Sequence, residues 1–192
     1  MIGQWVEEGA PEGDPEDLPP ALQFDDSGAW TLGEPDVVVT TEEFLVRSDE
    51  PDWWGDISPV LIPIEEDRYV KSVEIREIND VPSEGTGRET VGGRFVIHHM
   101  VWGTRNEEGR GVRQTWPVHE VGRNGDLFDQ EAGRLLTKGS YIVSESTPLH
   151  SNGRDTRASL QFGFTFHPKG YEPKYRESLL GLGNGSDIDI RA

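Results

Sequence analysis

The chain has 192 residues, no cysteine, and a formal charge of -18 from 36 acidic against 18 basic side chains. The lack of thiols excludes disulfides, zinc ribbons, iron–sulfur clusters, thiol catalysis and blue-copper thiolate sites, so a transition metal has to be held by His, carboxylate or Met. So acidic a surface repels phosphate backbones and anionic lipid, which argues against nucleic-acid and membrane partners, and no apolar run approaches the ~20 residues that span a bilayer.

The length suits one full β-domain with tails, or at most two small domains. Residues 1–32 read as a short helix over Ile2 to Glu8, stopped by Gly9-Ala10-Pro11, and then a linker rich in Pro and acid that cannot offset its ordering entropy by burial. No signal peptide is visible, because Met1 to Trp5 is followed at once by acids and prolines. Residues 33–173 read as the body. Val37 to Thr41 is a β-branched run, and Trp53 to Ile64 is apolar but broken by Pro59 and Pro63, which predicts an edge or irregular strand. Arg68 to Ile78 alternates with period two, and 80–93 is a glycine-rich loop. Arg94 to Gly103 is the strongest strand signal, followed by Gly139 to Ser146 and by Arg157 to Phe166, with the tight-turn pair Asn152-Gly153 between these last two. Short strands punctuated by Gly, Pro and Asn, with no long helical pattern, predict a soluble all-β fold, an antiparallel β-sandwich or barrel with irregular tails at both ends. Residues 174–192 are a Gly-rich polar C-terminal linker segment.

His98 and His99 are adjacent in the strongest predicted strand and are the leading metal-ligand candidates. Successive strand residues point to opposite faces, so either one His ligates while the other packs, or a local distortion brings both to one ion. Neutral imidazoles without nearby thiolates favour copper or zinc. A third ligand would come from His119, His150, His167, a carboxylate or Met100. His119 reads equally well as a solvated loop residue beside Pro117, and His167 as a surface or turn residue before Pro168. Trp53-Trp54 reads as core or rim packing ahead of ligand stacking. Asp25-Asp26 and Glu65-Glu66-Asp67 lack calcium-loop spacing and read as a solvated acidic face. No Gly-x-Ser-x-Gly elbow supports a hydrolase, and the loop glycines form no phosphate-binding pattern.

Several segments, in order, carry a family resemblance. They are Trp30-Thr-Leu-Gly-Glu-Pro-Asp-Val-Val-Val39, Glu66-Asp-Arg-Tyr-Val-Lys-Ser-Val-Glu-Ile-Arg76, Phe95-Val-Ile-His-His-Met-Val101, Leu149-His-Ser-Asn-Gly153 and Phe166-His-Pro-Lys-Gly170. Over about Trp30 to Pro173 the chain resembles the copper type II, ascorbate-dependent monooxygenases, the peptidylglycine α-hydroxylating and dopamine β-monooxygenase superfamily, and more closely its bacterial members. The resemblance implies a jelly-roll β-sandwich, the first of two copper domains, whose copper is held by a His-His pair plus a third His and supplies an electron. His98 and His99 match that pair. It also implies copper as cofactor, ascorbate or another reductant, a periplasmic or extracellular location, and a second copper domain and a cytochrome-c-like region as neighbours; residues 1–13 look like the last helix of such a region. The sequence departs from the family at two points. The third His, five residues before the Gly of the turn, is here Pro148, which leaves His150 as the substitute on the same strand face and His119 as the alternative. The second copper's His-x-His pair occurs nowhere, so a complete monooxygenase, an oxidoreductase, cannot be assembled from this chain alone. The alternatives are a non-catalytic β-sandwich binding module, or a stand-alone His site for copper or zinc.

Overall fold

A computed structural model describes residues 2–17, 29–82, 90–106 and 113–177. Near the N-terminus lie the helix α1 (Ile2–Glu7) and a single 3-10 turn (Pro15–Asp17), and α1 buries none of its residues. The body then runs β1 (Val37–Thr40), β2 (Phe44–Val46), β3 (Trp53–Leu61), β4 (Arg68–Asn79), a one-turn helix α2 (Val91–Arg94) and β5 (His99–Asn106). It continues β6 (Arg113–Thr115), β7 (His119–Glu120), β8 (Gly125–Leu127), β9 (Ala132–Leu136), β10 (Ser140–Leu149), β11 (Thr156–Phe166) and β12 (Tyr175–Arg176).

These strands form an all-β sandwich of two sheets. The first has the order β1-β11-β4-β9-β12, with β2 added on β11 and β8 on β4; the second has the order β3-β10-β5-β6, with β7 added on β5. Pairing is antiparallel except where β12 runs beside β9. The alternation that predicted β11 decides its facing: Ala158, Leu160, Phe162, Phe164 and Phe166 are all buried. Trp102 of β5 lies against Phe162 with ring centroids 5.0 Å apart, so the core joins one sheet to the other. Trp116 stacks on Trp102 at 5.4 Å, and the buried guanidinium of Arg134 sits 4.5 Å from the Trp116 ring centre.

The outer face of the first sheet is covered as well. The Thr31 and Leu32 N–H groups donate to the buried Glu74 carboxylate at 3.0 and 2.9 Å. Trp30 lies over the Arg76 guanidinium at 3.6 Å. Gly163 admits this cover, since a Cβ there would sit 2.8 Å from the Trp30 ring and 2.9 Å from Pro35. Trp30 and Leu32, just ahead of the boundary read from sequence, thus pack on the sandwich.

Trp53 to Leu61 is the expected edge strand, and its pairing with β10 shifts register twice, between Ile142 and Ser144 and between Ser144 and Thr147. The strand expected over Arg94 to Gly103 is displaced: β5 starts at His99 and reaches Asn106. Its first residues are diverted because Thr90 Oγ1 accepts from the Gly93 N–H at 3.1 Å and caps the turn of α2. Asn152-Gly153 does turn, with Gly153 at φ 81°, but it links strands of opposite sheets rather than a hairpin. Asp25-Asp26, residues 83–89 of the 80–93 loop and residues 178–192 lie outside the described residues.

Candidate metal centre

The site forms where the chain enters β5 and leaves β10. Ile97 bridges Leu149 in antiparallel fashion, and the His150 N–H donates to the Val96 carbonyl at 2.9 Å. That pairing sets His98 beside His150, with rings stacked at 4.3 Å between centroids and 13° between planes. On the other side of β10, Leu149 pairs with Trp53, which brings Asp52 to His150: Nδ1 lies 3.0 Å from Asp52 Oδ2. The Phe95 backbone acts on the His98 ring in the direction that raises its pKa. Both rings keep a buried Nε2 with no partner.

A buried, unpartnered imidazole nitrogen costs about 1–3 kcal/mol, and here two of them lie on stacked rings. On His150 the opposite nitrogen is held by the Asp52 carboxylate, the arrangement that fixes the tautomer of a metal-ligating His and leaves Nε2 as the donor. Burial is the main force lowering the His98 pKa, and the neighbouring His150 adds to it, against the opposing pull of Phe95 and Asp52. The neutral form that can ligate is thereby favoured.

His99 does not share this pocket. It is exposed at the start of β5, opposite Glu120, because adjacent strand residues face opposite ways. His119 is opposite Met100 in β7; it is 4% exposed, with Nδ1 unpartnered, so it is an interior residue and not a solvated loop side chain. Burial pushes its pKa down to about 4. His167, expected at the surface, is also buried and stacks on Tyr171 at 3.9 Å. Among the described residues, no group of three or more His, Asp or Glu is placed to hold a metal ion, so the core of the site is the His98–His150 pair. Pro148 lies inside β10, opposite Trp54, and His150 follows the strand's end. Trp53 and Trp54 form an exposed rim, 37% and 68% accessible. Glu65 and Glu66 pair with Lys138 and Lys169 at 3.7 and 2.5 Å, as suits a charged surface.

Asp52 was not singled out from sequence. No local pattern marks an acid ahead of an edge strand as a His partner; only the β3–β10 register does.

The fold and site together define an all-β sandwich with a paired-imidazole site at one end of its second sheet. Comparison with protein-family models, with curated proteins and with solved structures returns no match. No helix among the described residues is long and apolar enough to cross a membrane.

Proposed function

We propose that this chain is a copper-binding domain of jelly-roll type that serves as the electron-transfer half of a copper-dependent monooxygenase, with His98 and His150 as its ligand pair. The observation that carries the reading is the pair of buried, unpartnered Nε2 atoms on stacked rings, with His150 Nδ1 held by Asp52. The order of segments that resembles the copper monooxygenases adds to it. Two neutral nitrogen donors without thiolate suit copper. The lone pairs of nearly parallel rings lie in separate planes, so a shared ion requires one ring to tilt. His99 completes a three-His set only if the 98–99 peptide turns. Copper held there would pass single electrons from ascorbate or another reductant. The oxygen-binding copper belongs to a second domain, since this sequence holds no His-x-His pair.

Copper(II) titration of the metal-free protein, read by EPR and by quenching of the nearby Trp53, tests the reading. One equivalent with a nitrogen-rich type II spectrum is expected. His98→Ala and His150→Ala should each weaken binding by about a hundredfold, at least the top of the range for orienting partners. Copper affinity unchanged in the double variant, or tight zinc binding without redox cycling, overturns it.

Asp52→Asn keeps the shape at Nδ1 but removes the charge. An expected loss of about 10–100-fold in copper affinity follows from the usual effect of removing such a partner. The same titration checks this, and unchanged affinity would remove Asp52 from the site.

A further inference from the structure

Val96 and Ile97 are fully buried just before β5 begins, so their N–H groups point into the protein ahead of any strand partner on that side. A carboxylate from the opposite sheet takes them. Glu77 of β4 accepts from the Ile97 N–H at 2.9 Å through Oε2, and from the Val96 N–H at 3.1 and 3.2 Å through both oxygens. Asn79, two residues along β4, donates its Nδ2 to Glu77 Oε1 at 2.6 Å and to the Arg94 carbonyl at 2.8 Å. From the other side, the Val96 carbonyl receives the His150 N–H at 2.9 Å. The 96–97 peptide is therefore gripped by Glu77 on one face and by the His150 backbone on the other. His98 follows directly on this gripped peptide, with its ring stacked on His150.

We infer that Glu77, with Asn79 behind it, is a positioning residue for His98: from the first sheet it sets the height at which the His98 ring meets His150. This rests on the copper reading for its consequence at the metal, though the hold on His98 exists in the metal-free protein. The carboxylate is suited to the task because both oxygens accept. Glutamine in its place has one accepting oxygen: at the Oε1 position it leaves the Ile97 N–H without its acceptor, and at the Oε2 position its amide N–H groups face Asn79 Nδ2. In either orientation a buried donor loses its partner and the segment would shift to find another. Burial pushes the Glu77 carboxyl up, while Asn79, Ile97 and Val96 pull it down.

The test compares wild type, Glu77→Gln and Asn79→Ala in full-length chain. In metal-free Glu77→Gln, the Val96 and Ile97 amides should exchange about tenfold faster or more, as expected for lost hydrogen bonds to a charged acceptor. The nitrogen-15 signals of the His98 ring should move while those of His119 and His167 stay. With copper added, affinity should fall by about 10–100-fold, and the EPR parameters of the copper that does bind should change. Unchanged exchange and unchanged His98 signals overturn the inference. So does a Glu77→Gln protein that is merely less stable, yet binds copper with wild-type affinity and spectrum. If Glu77→Gln does not fold, Asn79→Ala carries the test, since it removes the support and leaves the grip; unmoved His98 signals there overturn the inference. Wild type that binds no copper overturns the copper reading alone, and the metal-free measurements still decide whether Glu77 holds His98.

Discussion

Trp102→Ala is expected to cost about 4 kcal/mol, within the ~3–5 kcal/mol range for truncating a buried aromatic. Trp102 is fully buried where the two sheets meet, against Phe162 at 5.0 Å, Trp116 at 5.4 Å and Phe164 at 6.4 Å. Its indole N–H also donates to the Pro117 carbonyl at 2.8 Å, anchoring the segment that leads into β7. Alanine would leave a cavity bounded by rigid rings on strands of both sheets, which cannot collapse without breaking register. Against a total domain stability of about 5–15 kcal/mol, this is enough to leave a sizeable unfolded population. Urea unfolding of wild type, Trp102→Ala and Trp102→Phe measures it. The phenylalanine variant retains a ring and should recover much of the loss. A loss below about 1.5 kcal/mol for alanine, the scale of a single methylene-sized change, would mean that Trp102 is not the joint between the sheets.

Acid should destabilise the fold through His119. Its pKa is about 4 in the folded chain against an ordinary histidine value of 6.5, and the cause is burial of the ring. The sign follows from which state binds the proton. Between pH 6.5 and 4 the unfolded chain takes up a proton that the folded chain refuses, so stability falls as pH falls through that window and levels off below it. The full effect is on the order of 3 kcal/mol, from 1.36 kcal/mol per unit. His98 and His167 are shifted the same way by burial, and Glu77 the opposite way, so the comparison has to be made within one pair of proteins. Unfolding midpoints at pH 7 and pH 4.5 for wild type and His119→Phe isolate it. The variant should lose most of the difference between the two pH values. An equal acid loss in both proteins would rule out His119 as the source.

The strands with clean period-two patterns were legible. The five alternating apolar residues of β11 predicted a facing that the structure bears out, whereas β4, expected half-buried, buries Ser72 and Glu74 as well as Val73 and Ile75 because Trp30 to Leu32 cover its other face. The prolines of Trp53 to Ile64 predicted an edge, and β3 is one. The short strands β2, β6, β7, β8, β9 and β12 were not legible, because two to five residues carry too little periodicity to separate from loop. β9 hides further behind Arg134, a buried cation that reads as surface and is held against the Trp116 and Phe128 rings. The start of β5 was misplaced because an apolar run, Phe95-Val96-Ile97, reads as strand, whereas its backbone is occupied by the Val91 carbonyl, Glu77 and His150. His167 was misread as exposed, and the solvated-loop alternative for His119 failed, for a related reason. A lone His carries no local sign of the strand or ring that will cover it.

The sequence by itself determined the class of fold, the lack of thiol chemistry, the acidic surface and the short list of imidazoles from which a site could be made. These depend on composition and on neighbours two residues apart, and the chain carries them whatever its tertiary arrangement. Only the tertiary structure decided which imidazoles meet. Strand alternation turns His99 away from its neighbour, while a bridge between Ile97 and Leu149 and the register of Trp53 on Leu149 bring His98, His150 and Asp52 together from three distant segments. Contacts of that kind depend on which strands pair and in what register. That choice belongs to the whole core, with Trp102 between the sheets, and no local pattern around a histidine records it.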